Sequence, residues 1–188
     1  MRSRFTHSAI VCSLLTASVG AVCSGAQPAV AAAPSVETPQ RTVLDYFRLL
    51  PWLGIGYPAT RQNAQELLRP ENNPVIDLRH NYLRVKPDSS PAEQIAVFRS
   101  KGKPDLLAVS LPDYERDYNT FVLYRLQNGK LRDVTDQTLP IAPQTGRYLY
   151  ELPQFGTTIR VFKFSLETHS RRHVFDLQWR GGRFIKVQ

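Results

Sequence analysis

Apolar residues recur along this chain at two different periods. Val43, Tyr46, Phe47 and Leu50 stand 3, 4 and 7 apart, one face of a short helix. Thr42 is its natural N-cap, Asp45 takes the capping-box position, and Pro51 ends the run. Thr60 predicts a second helix through about Arg69, with Ala64, Leu67 and Leu68 turned inward and Pro70 as its stop. From Asn73 the period shortens to two, and turn residues divide the chain into strands. Val75–Leu78 and Tyr82–Lys86 flank His80-Asn81. Ile95, Val97 and Phe98 precede Lys101-Gly102-Lys103, and Leu106–Leu111 follows it. Phe121–Leu126 and Leu131–Val134 flank Asn128-Gly129, and Val174–Trp179 and Phe184–Val187 flank Gly181-Gly182, both signals for tight hairpins. Tyr148–Leu152 and Ile159–Leu166 complete the set.

The patterning also separates centre from edge. Leu106–Val109 and Phe121–Tyr124 are apolar on both faces, which predicts central strands covered on both sides. In the last hairpin Phe175, Leu177 and Trp179 alternate with Arg172, Asp176, Gln178 and Arg180, the pattern of a half-exposed strand. Ile159, Val161, Phe162 and Phe164 change parity midway, which predicts a bulge near Arg160–Lys163. Gly102, Gly129, Gly156 and Gly182 fall at nearly even intervals, a hint of a repeated, propeller-like meander. The residues between them do not match, and antiparallel sheets need glycine turns in any case. The expected fold is mainly β or α+β. Two short N-terminal helices pack on an antiparallel meander, a sandwich or partial propeller, of about seven to nine strands.

Thr42-Val43-Leu44-Asp45-Tyr46-Phe47-Arg48-Leu49-Leu50-Pro51, with the hairpins that follow and Asn128-Gly129-Lys130 and Asp133-Val134-Thr135, resembles a group of uncharacterised exported bacterial proteins. These have a short helix ending in Leu-Pro and a β-meander behind it. The resemblance spans about Arg41 to Pro140. It implies export and a β-rich domain, and it brings no catalytic residues with it.

Composition sharpens the same picture. The only two cysteines, Cys12 and Cys23, lie in a segment built like a secretion signal. Arg2 and Arg4 precede an uncharged stretch from Ser8 to Ala26, and Ala29-Val30-Ala31 offers a small-residue cleavage site. Cleavage after Ala31 leaves a flexible lead-in over 32–40 and one domain over 41–188. A domain of that length buries about 68–70% of its unfolded surface without disulfides. Two alternatives to cleavage remain: an uncleaved membrane anchor, or a lipid on Cys23. The expected location is the periplasm or the extracellular space, with membrane association only through one of those two alternatives.

The full chain carries a net charge of +8. From Arg147 to Gln188 eight basic residues face three acidic ones, so the excess lies in the last third. Such an excess suits an anionic envelope component or a protein partner, although a solvated strand face gives the same count. The candidate binding residues are Arg160, Lys163, Arg172, Arg180, Arg183 and Lys186. The abundant tyrosines and phenylalanines are the core and cross-strand residues of a β protein. Nucleic acid is not expected for an exported chain.

Catalytic signatures are sparse. The chain lacks G-x-S-x-G, H-E-x-x-H and a phosphate-binding loop, and Gly54-Ile55-Gly56 is a loop rather than a dinucleotide fingerprint. Without cysteine past residue 23 there is neither a thiolate nucleophile nor a thiolate ligand in the domain. Asp113, Glu115, Asp117 and Asn119 alternate as oxygen ligands do around calcium. The glycine and acidic positions of an EF-hand loop are instead Tyr118 and Tyr124. Glu167, His169 and His173 fall short of the three or four ligands that zinc takes unless all three converge. No metal and no cofactor is expected. The leading expectation is a non-enzymatic exported binding domain with a basic C-terminal face. The alternative is an exported hydrolase of an envelope polymer, using two carboxylates among Asp113, Glu115, Asp117, Asp133 and Asp136.

Overall fold

Thr42 opens the first helix as its sequence predicts. Its hydroxyl accepts from the Asp45 backbone N–H, and the Asp45 carboxylate accepts from the Thr42 backbone N–H at 2.8 Å, closing a capping box. The computed structural model describes residues 40–51, 61–86, 92–113, 118–141, 148–165, 167–168 and 170–188. Helix α1 is Val43–Phe47 and α2 is Arg61–Leu67; the Thr60 cap expected for α2 lies outside the described residues. A third helix, α3 (Thr135–Thr138), has no counterpart in the apolar pattern. The Asp133 carboxylate accepts from the Thr135 backbone and hydroxyl, the kind of local bond that starts so short a turn.

Ten strands, a little above the expected number, follow α2 among the described residues, with α3 between the sixth and the seventh. They are β1 (Val75–Asp77), β2 (Tyr82–Val85), β3 (Glu93–Phe98), β4 (Leu106–Asp113), β5 (Tyr118–Gln127), β6 (Lys130–Asp133), β7 (Tyr148–Glu151), β8 (Thr158–Ser165), β9 (Ser170–Arg180) and β10 (Arg183–Val187). They form two antiparallel meanders, β1 to β6 in one sheet and β7 to β10 in the other. Neither sheet closes into a barrel, and the glycines serve as turn residues rather than as marks of a propeller. Asn128 and Gly129 both take positive φ, as do Gly181 and Gly182, the mirror-image turns that the two dipeptides predicted.

The larger sheet is buried on both faces. On one side Leu83, Val85, Ile95, Val97, Leu107 and Val109 pack against Val43, Tyr46, Phe47 and Leu50 of the α1 segment and Ala64 of α2. On the other side Tyr82, Ala96, Phe98, Leu106, Ala108 and Leu123 meet Ile159, Val161, Phe175, Leu177 and Trp179 of the smaller sheet. Three layers result: helices, six strands, four strands. The two-faced apolar runs sit where the sequence puts them, β4 between β3 and β5 and β5 between β4 and β6. Hydrogen bonds also join the sheets, among them the buried Ser110 hydroxyl to the Tyr150 carbonyl at 2.7 Å and the Leu152 N–H to the Gln94 side chain at 2.7 Å. Phe121 stacks on Tyr150 with ring centroids 4.0 Å apart.

One charged residue sits in the core. Glu93 begins β3, shares the alternation of Ile95 and Val97, and is only 7% exposed. No hydrogen bond or ion pair holds it among the described residues. Burial alone pushes its carboxyl up from 4.5 to about 7.

Candidate anion-binding surface

The smaller sheet has one covered face and one open face, and register decides which cations belong to each. Val161 pairs with Phe175, whereas the next pair is Phe162 with His173. The extra residue is Val174 on β9. The register therefore shifts between Val161 and Phe162, within the span where the sequence predicted a bulge. The bulge reverses the alternation of β9, so His173 and Arg171 join Asp176, Gln178 and Arg180 on the open face. Arg172, which the unbroken pattern had placed beside Arg180, pairs with Lys163 on the opposite side. Lys186 also faces inward, its ammonium 4.6 Å from the Phe175 ring centre. The six candidate cations thus divide three and three by register: Arg160, Arg180 and Arg183 on the open face, and Lys163, Arg172 and Lys186 on the side of the covered face, where they are exposed at its margin.

The cations of the open face are not equal. Arg160 lies between Glu151 and Asp176 on its two neighbouring strands and bonds the Glu151 carboxylate at 2.9 Å. Arg171 stands 3.8 Å from the same carboxylate and 5.0 Å from the Phe162 ring centre. His173 donates to or accepts from Asp176 at 2.7 Å, depending on its tautomer. These charges compensate one another around Phe162. Arg180 and Arg183, a cross-strand pair flanking Gly181-Gly182, are exposed and take no ion pair among the described residues.

A second turn lies against theirs. Phe98 at the end of β3, Trp179 at the end of β9 and Phe184 at the start of β10 pack as a trio. Phe184 is 5.0 Å from Phe98 and 5.1 Å from Trp179, centre to centre. The Trp179 indole N–H donates to the Arg99 carbonyl at 3.0 Å. Together they seat the β9–β10 turn beside the β3–β4 turn, which the Lys103 N–H closes onto the Ser100 carbonyl at 3.0 Å. The approach is close enough that a Cβ on Gly182, whose φ is +88°, would come within 3.1 Å of the Lys103 side chain. Lys101 and Lys103 are therefore brought to the same end of the sandwich as Arg180 and Arg183, and all four are exposed.

The acid nearest in sequence cannot neutralise this group. Asp105 is held by Arg99 at 3.2 Å and by the Tyr46 hydroxyl at 3.0 Å. Arg99 also donates to the Arg41 carbonyl, tying the start of α1 to the same turn. Burial, with the Asp105 carboxylate beside it, pushes the Tyr46 hydroxyl up to about 12. In the sequence Lys101-Gly102-Lys103 stands only as a turn between two apolar runs. Nothing in the local pattern tells that it meets a turn some eighty residues on.

A different corner carries apolar surface. Ile76, Leu78 and Phe155 are 43%, 50% and 68% exposed. Asp77, bonded by His80 and Gln154, is held down at about 2 by those hydrogen bonds.

The metal and acid candidates do not assemble among the described residues, where no three His, Cys, Asp or Glu converge. Glu115, Asp117 and His169 lie outside the described residues, as do the side chains of Asp113 and Asn119. Asp133 serves the start of α3. No described helix is long and apolar enough to cross a membrane. Comparison with family models, curated proteins and solved structures finds no match to the chain.

Proposed function

We propose that this chain is an exported, non-enzymatic binding domain, periplasmic or extracellular, that holds an anionic partner at the paired turns. One observation carries the reading: two hairpin turns from different sheets stand side by side and present Lys101, Lys103, Arg180 and Arg183 to solvent without a described counter-ion. Unpaired cations gathered at one end of a domain make a local positive potential that draws an anionic surface and orients its approach. Of the six residues expected from the sequence, Arg180 and Arg183 belong to this surface. Arg160 is engaged by Glu151, while Lys163, Arg172 and Lys186 face the other way. Export rests on the leader-like N-terminus and on the resemblance to exported bacterial proteins.

The test is retention on phosphocellulose. A variant with Lys101, Lys103, Arg180 and Arg183 all changed to Gln is compared with one in which Arg84, Lys86, Lys130 and Arg132, exposed elsewhere, are changed likewise. Both lose the same net charge. The first should elute at clearly lower salt than the second. Equal elution would mean that net charge alone drives retention and that the turns form no site.

A further inference from the structure

We infer that the partner held at the paired turns is a linear polyanion carrying a phosphate on each repeat, gathered along its length by the four cations; this rests on the reading of the turns as a binding surface.

The form of the surface argues against a lone small anion. Lys101, Lys103, Arg180 and Arg183 all stand in solvent on two protruding turns, with no buried charged side chain among them. Each exposed ion pair with such a group contributes about 0–1 kcal/mol. One phosphate touching one or two of these cations is held hardly better than by water. A flexible chain that passes from one turn to the next meets all four in one binding event. Its later contacts are intramolecular, and it releases a counter-ion at each.

Chemistry at the same end argues against a bilayer and against ring recognition. The aromatic residues under the turns are buried, Phe98 at 4%, Trp179 at 5% and Phe184 at 2% exposed. Of the large exposed apolar residues among those described, Ile76, Leu78 and Phe155 belong to other strands and loops, and Val174 sits at the bulge of β9, six residues before Arg180. A membrane-seeking surface pairs its cations with apolar or aromatic side chains that enter the interface. Recognition of bases or sugars uses exposed rings for stacking. Here charge stands alone, the complement of a repeated anionic backbone. Guanidinium groups suit phosphate oxygens through paired N–H donors, and the lysines add mobile point charges.

The experiment uses the purified full chain and three probes: short-chain inorganic polyphosphate, orthophosphate at the same total phosphate, and vesicles of phosphatidylglycerol in phosphatidylcholine. Binding is followed by calorimetry across a salt series. Polyphosphate should bind with a log–log salt slope of about −3 for four cations on a single-stranded polyanion, roughly a 60-fold loss between 50 and 200 mM salt. Orthophosphate should not compete, and the vesicles should bind more weakly at equal phosphate. Competition by orthophosphate phosphate-for-phosphate would overturn the polymer in favour of a single-anion site. Tighter binding to vesicles, lost in the four-Gln variant, would keep the surface but overturn the polymer in favour of a membrane. Polyphosphate binding that survives unchanged in the four-Gln variant would overturn the surface itself.

Discussion

Replacing Glu93 by Gln removes a titrating group from the helix side of the six-stranded sheet while keeping its size. The wild-type carboxyl takes up its proton at about 7 in the folded chain and at its ordinary 4.5 when exposed. The folded state therefore holds more protons than the unfolded state between those two values, and stability falls as pH rises through the window. Below about pH 4.5 the group is protonated in both states and has no effect. Above about pH 7 it is ionised in both, and the folded state bears the full cost of a buried charge. A difference of 2.5 between the two values, at about 1.36 kcal/mol each, gives a loss of roughly 3 kcal/mol across the window. Asp45 and Asp77 are shifted the other way. Their stabilising effect is present above their ordinary value of 3.8 and is lost as pH falls further, outside this range. Urea denaturation of wild-type and Glu93→Gln protein at pH 5, 6, 7 and 8, followed by far-ultraviolet circular dichroism, isolates the group. Unfolding free energies of the two proteins should agree most closely at pH 5 and diverge toward pH 8, with the variant more stable. Parallel profiles over the whole range would refute the buried, unpaired state of Glu93.

Two other substitutions test the packing that builds the surface. Leu177→Ala empties a fully buried position between the sheets and should cost about 2–5 kcal/mol, read as a lower urea midpoint with an unchanged slope. Gly182→Ala puts a side chain at φ +88° and against Lys103, so it should cost about 1–3 kcal/mol. Gly102→Ala, with similar φ but open space around it, should cost less. Equal losses would mean that the two turns do not touch.

Much of the architecture is legible in the residues because it depends on local chemistry. Thr42 and Asp45 announce a helix start whatever lies beyond it. Asn128-Gly129 and Gly181-Gly182 fix two-residue turns through positive φ, and the doubled apolar faces of Leu106–Val109 and Phe121–Tyr124 mark strands with cover on both sides. Glu93 shares the parity of Ile95 and Val97, but its burial is seen only in the folded chain, because its residue type speaks for the surface. Other features depend on meetings at a distance. The parity change in Ile159–Phe164 predicts a bulge, but only when β8 and β9 are laid side by side does the extra residue prove to be Val174 of β9, between Arg172 and Arg180. The candidate surface is of this second kind. Lys101 and Lys103 join Arg180 and Arg183 through Phe98, Trp179 and Phe184, and a period-two pattern shows which face each aromatic takes without showing which sheet end it will meet.

The meander order of both sheets bears on how the chain reaches this state. Every strand pairs only with its neighbours in sequence, and none is inserted between two distant partners. Loop closure for each pairing is short, so contact order is low for a β protein and folding is correspondingly fast. Each sheet can zip from its own hairpins as soon as they emerge. The long-range step left is docking of one completed sheet on the other through Ser110, Tyr150 and the aromatic trio.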